Sequence, residues 1–204
     1  MAYDSQVEQK IILAASDVFT VKGKGGARMQ EIADRAGINK ALLHYYFRSK
    51  DKLFRIVFER EFQSMLNDLF GALNMDAPFD QFLQIFIRTY IKNIAVRKNI
   101  LRFILWEMQS NTQNIAEHFL DAFQSKGFTS NPIILRIDQA VTNDEIKPVD
   151  PKQFVLSLIG MCIFPFVAAP IVEKIIPGLN TGDKQFIKDR EKEIFNLIWN
   201  GIKK

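Results

Sequence analysis

Apolar residues in this chain recur at intervals of three and four, which is the repeat of a helix that buries one face. The first such run consists of Val7, Ile11, Ile12, Ala15, Val18 and Phe19. Similar spacing continues through most of the 204 residues, and no two-residue alternation bounded by hairpin turns is found. The pattern predicts an all-α protein of about nine helices.

Glycine and capping residues predict where the first helices begin and end. Helix 1 is expected to end near Gly23, where a glycine-rich stretch is interpreted as a connecting loop. Gly37 follows a short second helix at the position of a left-handed C-cap. Asn39 can cap a third helix by accepting a hydrogen bond from the amide of Leu42, and Ser49 can cap a longer fourth helix.

Helices are expected to continue to the end of the chain. One is predicted to start at Ala77-Pro78 and another to cover residues 100–108. Breaks are expected at 111–112, 126–132, 147–151 and 177–183.

The positive charge of the chain is concentrated at its N-terminus. The net charge is +4, and residues 1–55 hold ten Lys and Arg against six Asp and Glu, while residues 56–204 hold seventeen of each. A basic patch of this kind suits a polyanion, because each neutralised phosphate releases counterions. A solvated basic surface, or a non-specific DNA binder, is the alternative that charge alone leaves open.

Residues that carry catalytic or metal chemistry are few. Cys162 is the single cysteine, so no intrachain disulfide can form and a reducing cytoplasm is expected. The start of the chain lacks the apolar segment of a signal peptide. The two histidines, His44 and His118, occur in no zinc-binding or nucleophile motif. We therefore expect no enzyme activity, no cofactor and no metal site.

Ala33, Gly37 and Leu43 have the spacing of a helix-turn-helix unit. Such a unit needs a small residue where two helices cross, a glycine in the turn and a large apolar residue that holds the second helix against the first. These residues lie in the stretch 32–53, IADRAGINKALLHYYFRSKDKL.

That stretch closely resembles the signature of the TetR family of bacterial repressors, in which an alanine-glycine turn precedes a tyrosine-rich recognition helix, a phenylalanine and a serine-lysine-acid step. The resemblance covers residues 8–56, about a quarter of the chain. It implies a three-helix DNA-binding domain over 1–50 and a helical ligand-binding and dimerisation domain over 51–204. The expected function is a homodimeric repressor that binds a near-palindromic operator in double-stranded DNA and responds to a small effector, with an activator or co-ligand-dependent regulator as the alternative.

The predicted recognition helix offers groups suited to DNA. Lys40 can donate to guanine acceptors and Leu42 can touch a thymine methyl, whereas Tyr45 and Lys50 suit phosphate oxygens. The full set of predicted DNA-binding residues is Arg28, Asn39, Lys40, Leu42, His44, Tyr45, Tyr46 and Lys50.

The chain departs from the family pattern at several of these positions. Ala27-Arg28 stands where the family has a capping threonine or serine, so Arg28 is expected to meet phosphate by charge. Ala41, Leu42 and His44 also replace the usual residues, which affects the operator sequence and not the fold.

The larger half contains most of the phenylalanines, and a hydrophobic or aromatic effector is expected among them. The predicted ligand-binding residues are Phe86, Tyr90, Phe103, Trp106, Phe123 and Phe164. By analogy with the family, helix 4 would transmit ligand binding to the DNA-binding half, and helices over 151–174 and 183–203 would form the dimer interface.

Residues 154–172 carry no charge, and that length also fits a membrane span. Pro165, Pro170 and Gly160 lie inside this segment, and no second span accompanies it. A buried helix at a homodimer interface explains the same apolarity, so we expect no membrane partner.

Overall fold

The structure, a computed structural model, describes residues 2–97, 101 and 112–204. Every regular element within these ranges is a helix, which confirms the predicted all-α class. The helices are α1 (Ala2–Gly26), α2 (Met29–Ala36), α3 (Lys40–Tyr46), α4 (Lys50–Ala72), α5 (Phe79–Val96), α6 (Thr112–Ser125), α7 (Pro132–Thr142), α8 (Pro151–Val167), α9 (Ala169–Ile175) and α10 (Lys184–Ile202). The helix predicted over 100–108 lies outside the described residues apart from Leu101.

The chain divides into two compact units, Met1–Ser64 and Met65–Lys204, so the division falls inside α4. We call them unit 1 and unit 2. The functional boundary expected between residues 50 and 51 stays a prediction.

Unit 1 is built on the apolar face of α1. Its core residues are Ile11, Ala15, Val18, Phe19, Ile32, Ala33, Leu43, Phe47, Leu53 and Phe54. Phe19 meets Phe54 of α4 edge-on, with ring centroids 4.9 Å apart. Burial of each large side chain stabilises the unit by about 1.5–3 kcal/mol. Helices as short as α2 and α3 are not stable alone in water, so packing against the core stabilises them.

The end of α1 differs from the sequence prediction. Gly23 adopts a left-handed conformation, with φ 64° and ψ 175°, but the chain makes a further helical turn before α1 ends at Gly26. The amide of Ala27 then donates to the carbonyl of Gly23 at 3.2 Å. The glycine-rich stretch is thus an interrupted helix end and not an open loop.

Unit 2 is organised around α5, which packs against α7, α8 and α10. Its buried face consists of Phe79, Phe82, Leu83, Phe86, Ile87, Ile91 and Ile94. Pro78 precedes the helix as its N-cap, which confirms the predicted start.

Arg136 of α7 fixes the start of α5. Its Nη2 donates to the carbonyl of Ala77 and to Oε2 of Glu145, each at 2.8 Å, and its guanidinium lies over the ring of Phe79. The amide of Phe79 also donates to Oε2 of Glu145 at 3.0 Å. The hydrogen bond from Arg136 lowers the pKa of Glu145, although partial burial opposes that shift.

The predicted continuous helix over 151–174 is wrong, because the chain bends by 75° between α8 and α9. Ala168 separates the two helices, and Pro170 occupies the first turn of α9, where a missing amide costs no helical hydrogen bond. A proline in a helix interior disfavours the preceding turn, so Pro170 favours the break at Ala168, whereas Pro165 lies inside α8 without ending it.

Within the described residues, no single helix is both long and apolar enough to span a membrane, whereas α8 and α9 taken together meet the same criteria of length and composition.

Candidate nucleic-acid interface and effector residues

The turn between α2 and α3 sets the direction of the candidate recognition helix. Gly37 is left-handed, with φ 67° and ψ 34°. Its amide donates to the carbonyl of Asp34 at 3.1 Å, and the amide of Ile38 donates to that of Ala33 at 3.0 Å. These two bonds satisfy the carbonyls at the end of α2, as the sequence predicted from the glycine. Ala33 is fully buried beneath this turn.

Capping residues define where α3 and α4 begin. Oδ1 of Asn39 accepts a hydrogen bond from the amide of Leu42 at 2.7 Å, which confirms the predicted cap. Oγ of Ser49 accepts one from the amide of Lys52 at 3.1 Å, which confirms the second. Each cap contributes about 0.5–2 kcal/mol.

The helix α3 has one anchored face and one free face. Leu43 is fully buried and Phe47, directly after α3, is 1% exposed, whereas Tyr45 is 77% exposed. The ring of Tyr45 lies edge-on to that of Tyr46, with centroids 5.5 Å apart. Of the other predicted DNA-binding residues, Arg28, Asn39, Lys40 and His44 are exposed, and Leu42, Tyr46 and Lys50 are half-buried.

The basic patch is partly neutralised within unit 1. Lys22 pairs with Glu31 at 2.7 Å, Lys24 with Asp51 at 3.0 Å, and Arg35 with Asp17 at 3.0 Å. A count of charges along the sequence does not show which charges form such pairs.

Arg28, Lys40 and Arg48 are exposed and make no ion pair within the described residues. The same holds for Lys10 and Lys52, so these five cations of unit 1 are available to an anionic partner. Arg48 was not among the DNA-binding residues predicted from the sequence. Its position directly after Phe47, at the end of the recognition helix, could have indicated it. The side chain of Arg28 makes no cap bond at the start of α2, as expected from the loss of the family's hydroxyl residue.

Lys50 already has an intramolecular partner. Its Nζ donates to the carbonyl of Ala27 at 3.1 Å, and Ala27 is buried. The bond ties the start of α4 to the segment that precedes α2.

The predicted effector residues that the structure describes differ in burial and in their aromatic partners. Phe86 is fully buried and stacks on Tyr90, with centroids 5.5 Å apart. Phe123 lies edge-on to Phe70 at 5.3 Å. Phe164 is 61% exposed, so it does not share the surroundings of Phe86. Phe103 and Trp106 lie outside the described residues.

Cys162 is buried near Tyr90. Burial raises the pKa of the Cys162 thiol to about 12, against the opposing effect of Arg190. Burial and the neighbouring Cys162 also raise the pKa of Tyr90. Both groups are protonated at physiological pH, as their ordinary pKa values already require.

Residues 11–57 match the family model described as bacterial regulatory proteins, tetR family. The regulator RutR of Escherichia coli O157:H7 is 24% identical over 199 residues, which cover 98% of this chain and 92% of RutR. The transcriptional activator FasR of Mycolicibacterium smegmatis is 33% identical over 81 residues, 40% of this chain and 37% of FasR.

Among solved structures, the regulator FadR of Bacillus subtilis in complex with stearoyl-CoA has the same fold, with a TM-score of 0.63 and 14% identity. The superposition covers 92% of this chain and 97% of FadR.

We predict that Lys50→Met weakens DNA binding, because the substitution removes both the hydrogen bond to Ala27 and a positive charge of unit 1. The bonded ammonium keeps its charge and has two further N–H donors. An unchanged salt dependence would therefore mean that Lys50 acts through Ala27 alone. The measurement is DNA affinity at several salt concentrations for the wild type and for Lys50→Met. A slope that falls by about one would instead assign the amine to a phosphate.

Proposed function

The chain belongs to the TetR family of bacterial transcriptional regulators, and we propose that it is a homodimeric repressor that binds a near-palindromic operator in the bacterial cytoplasm and is released by a small hydrophobic effector. Regulators of this family bind DNA through their helix-turn-helix and are not enzymes. The proposed operator binding is carried by α3, whose exposed Lys40 and Tyr45 lie opposite the buried Leu43.

We propose that α3 enters the major groove of the operator. Lys40 then donates to a guanine, Leu42 contacts a thymine methyl, and Tyr45 binds phosphate. Arg28 contributes a phosphate contact at the start of α2, and Lys50 supports the interface from α4. The proposed DNA-binding residues are Arg28, Asn39, Lys40, Leu42, His44, Tyr45, Tyr46 and Lys50.

Replacing Lys40 and Tyr45 together with alanine is expected to abolish specific DNA binding, because both side chains project from the exposed face of α3. Genomic fragments are selected on the purified protein, the bound sites are footprinted, and affinity is measured in competition with random DNA. The wild type should prefer its site by at least about a thousandfold.

Lys10→Ala is the control for this experiment, since it removes an exposed cation from α1. Unchanged affinity in the Lys40/Tyr45 variant would remove the assignment of α3 as the reading helix. Equal binding to random DNA would identify a non-specific DNA binder.

The proposed dimer interface is an apolar stripe on α8. Leu156, Gly160 and Phe164 recur at four-residue spacing, and Leu156 and Phe164 are 66% and 61% exposed in the single chain. Leu197 of α10 is also exposed, and α10 packs beside α8. Exposed leucine and phenylalanine in a continuous stripe mark an interaction surface. A second copy of the chain would bury it through the same patch on both protomers.

Leu156→Glu combined with Phe164→Glu is expected to produce a monomer, because charges in the stripe would be buried without partners. Light scattering after size-exclusion chromatography gives the mass. Operator affinity should fall as well, since two recognition helices must lie about 34–36 Å apart to enter successive major grooves.

Leu120→Glu is the matched control, because Leu120 is similarly exposed but lies on α6 outside the stripe. A dimer that survives the double substitution would place the interface elsewhere.

We propose that the effector is an apolar chain or ring bound in unit 2 near Phe86, Tyr90 and Phe123. The burial of Phe86 and its stacking on Tyr90 support this ligand class, and the FadR neighbour was solved in complex with stearoyl-CoA. Phe103 and Trp106 stay in the proposed set, and so does Phe164, whose exposure makes it the weakest member.

The helix α4 is proposed as the element that carries the signal. It contributes residues to both units, and its Phe70 contacts Phe123. An effector that binds better to one arrangement of α4 would shift the protein away from the DNA-binding state.

Apolar ligands should raise the melting temperature of the wild type, because a ligand at about 100 times its Kd stabilises by about 2.7 kcal/mol. Stearate and stearoyl-CoA are the first probes, measured by thermal shift. Phe86→Leu should reduce the shift, and Phe186→Leu, the same change at a half-buried phenylalanine of unit 2 outside both proposed sets, should leave it unchanged. No shift with any apolar ligand would count against the effector class.

An activator of the same fold is the alternative, since FasR is named as one. A reporter joined to the footprinted promoter distinguishes the two. Deleting the gene for this chain raises expression if the chain represses and lowers it if the chain activates.

A further inference from the structure

A surface groove of about 420 Å³ lies in unit 2 between α5 and α10. Its lining includes Ile85, Arg88, Lys188, Glu191, Lys192 and Phe195. The volume is within the range of small-molecule sites. Arg88 is exposed whereas Phe86 is fully buried, so the groove occupies the other side of α5 from the proposed effector residues.

Four cations surround this groove. Arg88, Lys188 and Lys192 line it, and Lys92 is close enough to influence Glu191 electrostatically. Within the described part of the chain, none of the four makes an ion pair. Their positive charge is therefore available to an anionic ligand.

Glu191 lies among these cations with an unsatisfied oxygen. Its Oε1 is buried and accepts no hydrogen bond from the described residues. Burial raises the pKa of Glu191, while Lys92, Arg88 and Lys188 oppose the shift. A buried acceptor without a donor destabilises a fold, so its presence calls for an explanation. A ligand that donates an N–H or O–H to this oxygen supplies one.

The ring of Phe195 forms the aromatic part of the groove wall, called here the aromatic wall. Trp199 is not part of the lining but stacks on Phe195, with ring centroids 6.1 Å apart and an angle of 14° between their planes. Phe195 lines the groove opposite Ile85 of α5. A planar ring is a suitable partner for this apolar surface.

We propose that the groove binds a nucleotide, with its phosphate on Arg88, Lys188 and Lys192, its ring against Phe195, and a ligand N–H or O–H donating to Glu191. Lysine and arginine together suit phosphate oxygens. With one negative charge at Glu191, the four cations leave an excess of positive charge, and a phosphate dianion would offset most of it. The alternative is a basic surface that binds only water. The buried, unbonded Oε1 of Glu191 among the cations favours a ligand over this alternative.

Isothermal titration of the full-length protein with adenosine monophosphate, adenosine and inorganic phosphate tests the site. Adenosine monophosphate should bind about tenfold or more tightly than either part alone, because only the whole nucleotide reaches both the cations and the aromatic wall. Equal binding of inorganic phosphate and adenosine monophosphate would overturn the proposal.

Arg88→Gln combined with Lys188→Gln should lower the affinity for adenosine monophosphate about tenfold or more, a loss of about 1.4 kcal/mol. Lys126→Gln combined with Lys184→Gln removes the same charge from exposed residues that do not line the groove. The control pair should bind like the wild type. An equal loss in both pairs would mean attraction by net charge only and would contradict a built site. Thermal melting of each variant verifies that it is folded.

Glu191→Leu separates the hydrogen bond from the electrostatics. The substitution removes the same charge from the surroundings of adenosine monophosphate and of inorganic phosphate. The ratio of their two affinities therefore reports the contact between Glu191 and the rest of the nucleotide. That ratio should fall about fivefold or more, the equivalent of about 1 kcal/mol. An unchanged ratio would refute the role of Glu191.

Coenzyme A is the final probe, because its nucleotide end has the same chemistry as a free nucleotide. Binding about tenfold tighter than adenosine monophosphate would identify the ligand as a coenzyme A derivative, and weaker binding would identify a free nucleotide. If neither coenzyme A nor adenosine monophosphate binds, the proposed site is overturned. All these titrations are made without DNA, so their outcome is independent of operator recognition.

Discussion

The left-handed backbone at Gly37 is the constraint on which the DNA-binding geometry depends. It turns the chain between α2 and α3 within a few residues and lets two amides bond the carbonyls of Ala33 and Asp34. A Cβ at Gly37 would meet no atom within 4 Å, so the requirement for glycine is conformational and not a matter of space. With this turn fixed, burial of Leu43 determines which face of α3 remains free, and Tyr45 consequently faces solvent.

Electrostatics at this surface depend on pairing that only the fold creates. Unit 1 is rich in cations, but Lys22, Lys24 and Arg35 are engaged by acidic residues of the same unit. Exposed pairs of this kind contribute little to stability, yet they reduce the charge offered to a polyanion. The positive charge that remains unpaired includes that of Arg28 and Lys40, which lie at the starts of α2 and α3.

The features that the sequence predicted correctly are those set by local chemistry. Asn39 caps α3 because its own side chain reaches the amide of Leu42, and Pro78 marks the start of α5 because it cannot donate within a helix. Features that depend on distant packing were harder to predict. Nothing in a row of phenylalanines distinguishes the buried Phe86 from the exposed Phe164, since both occur at helical spacing. The bend between α8 and α9 could have been predicted, because Pro170 favours a helix break. The segment was predicted as one helix because it is apolar throughout.

The helix α5 presents two chemically opposite faces, and this has a consequence for regulation. Its inner face carries Phe86 and Tyr90 in neutral, apolar surroundings, and its outer face carries Arg88 and Lys92 beside the groove. If ligands on both faces distinguish the same two positions of α5, each ligand changes the affinity for the other by the same factor, because binding free energies are linked reciprocally. The response of unit 2 to a hydrophobic effector would then depend on the level of the nucleotide, and the reverse.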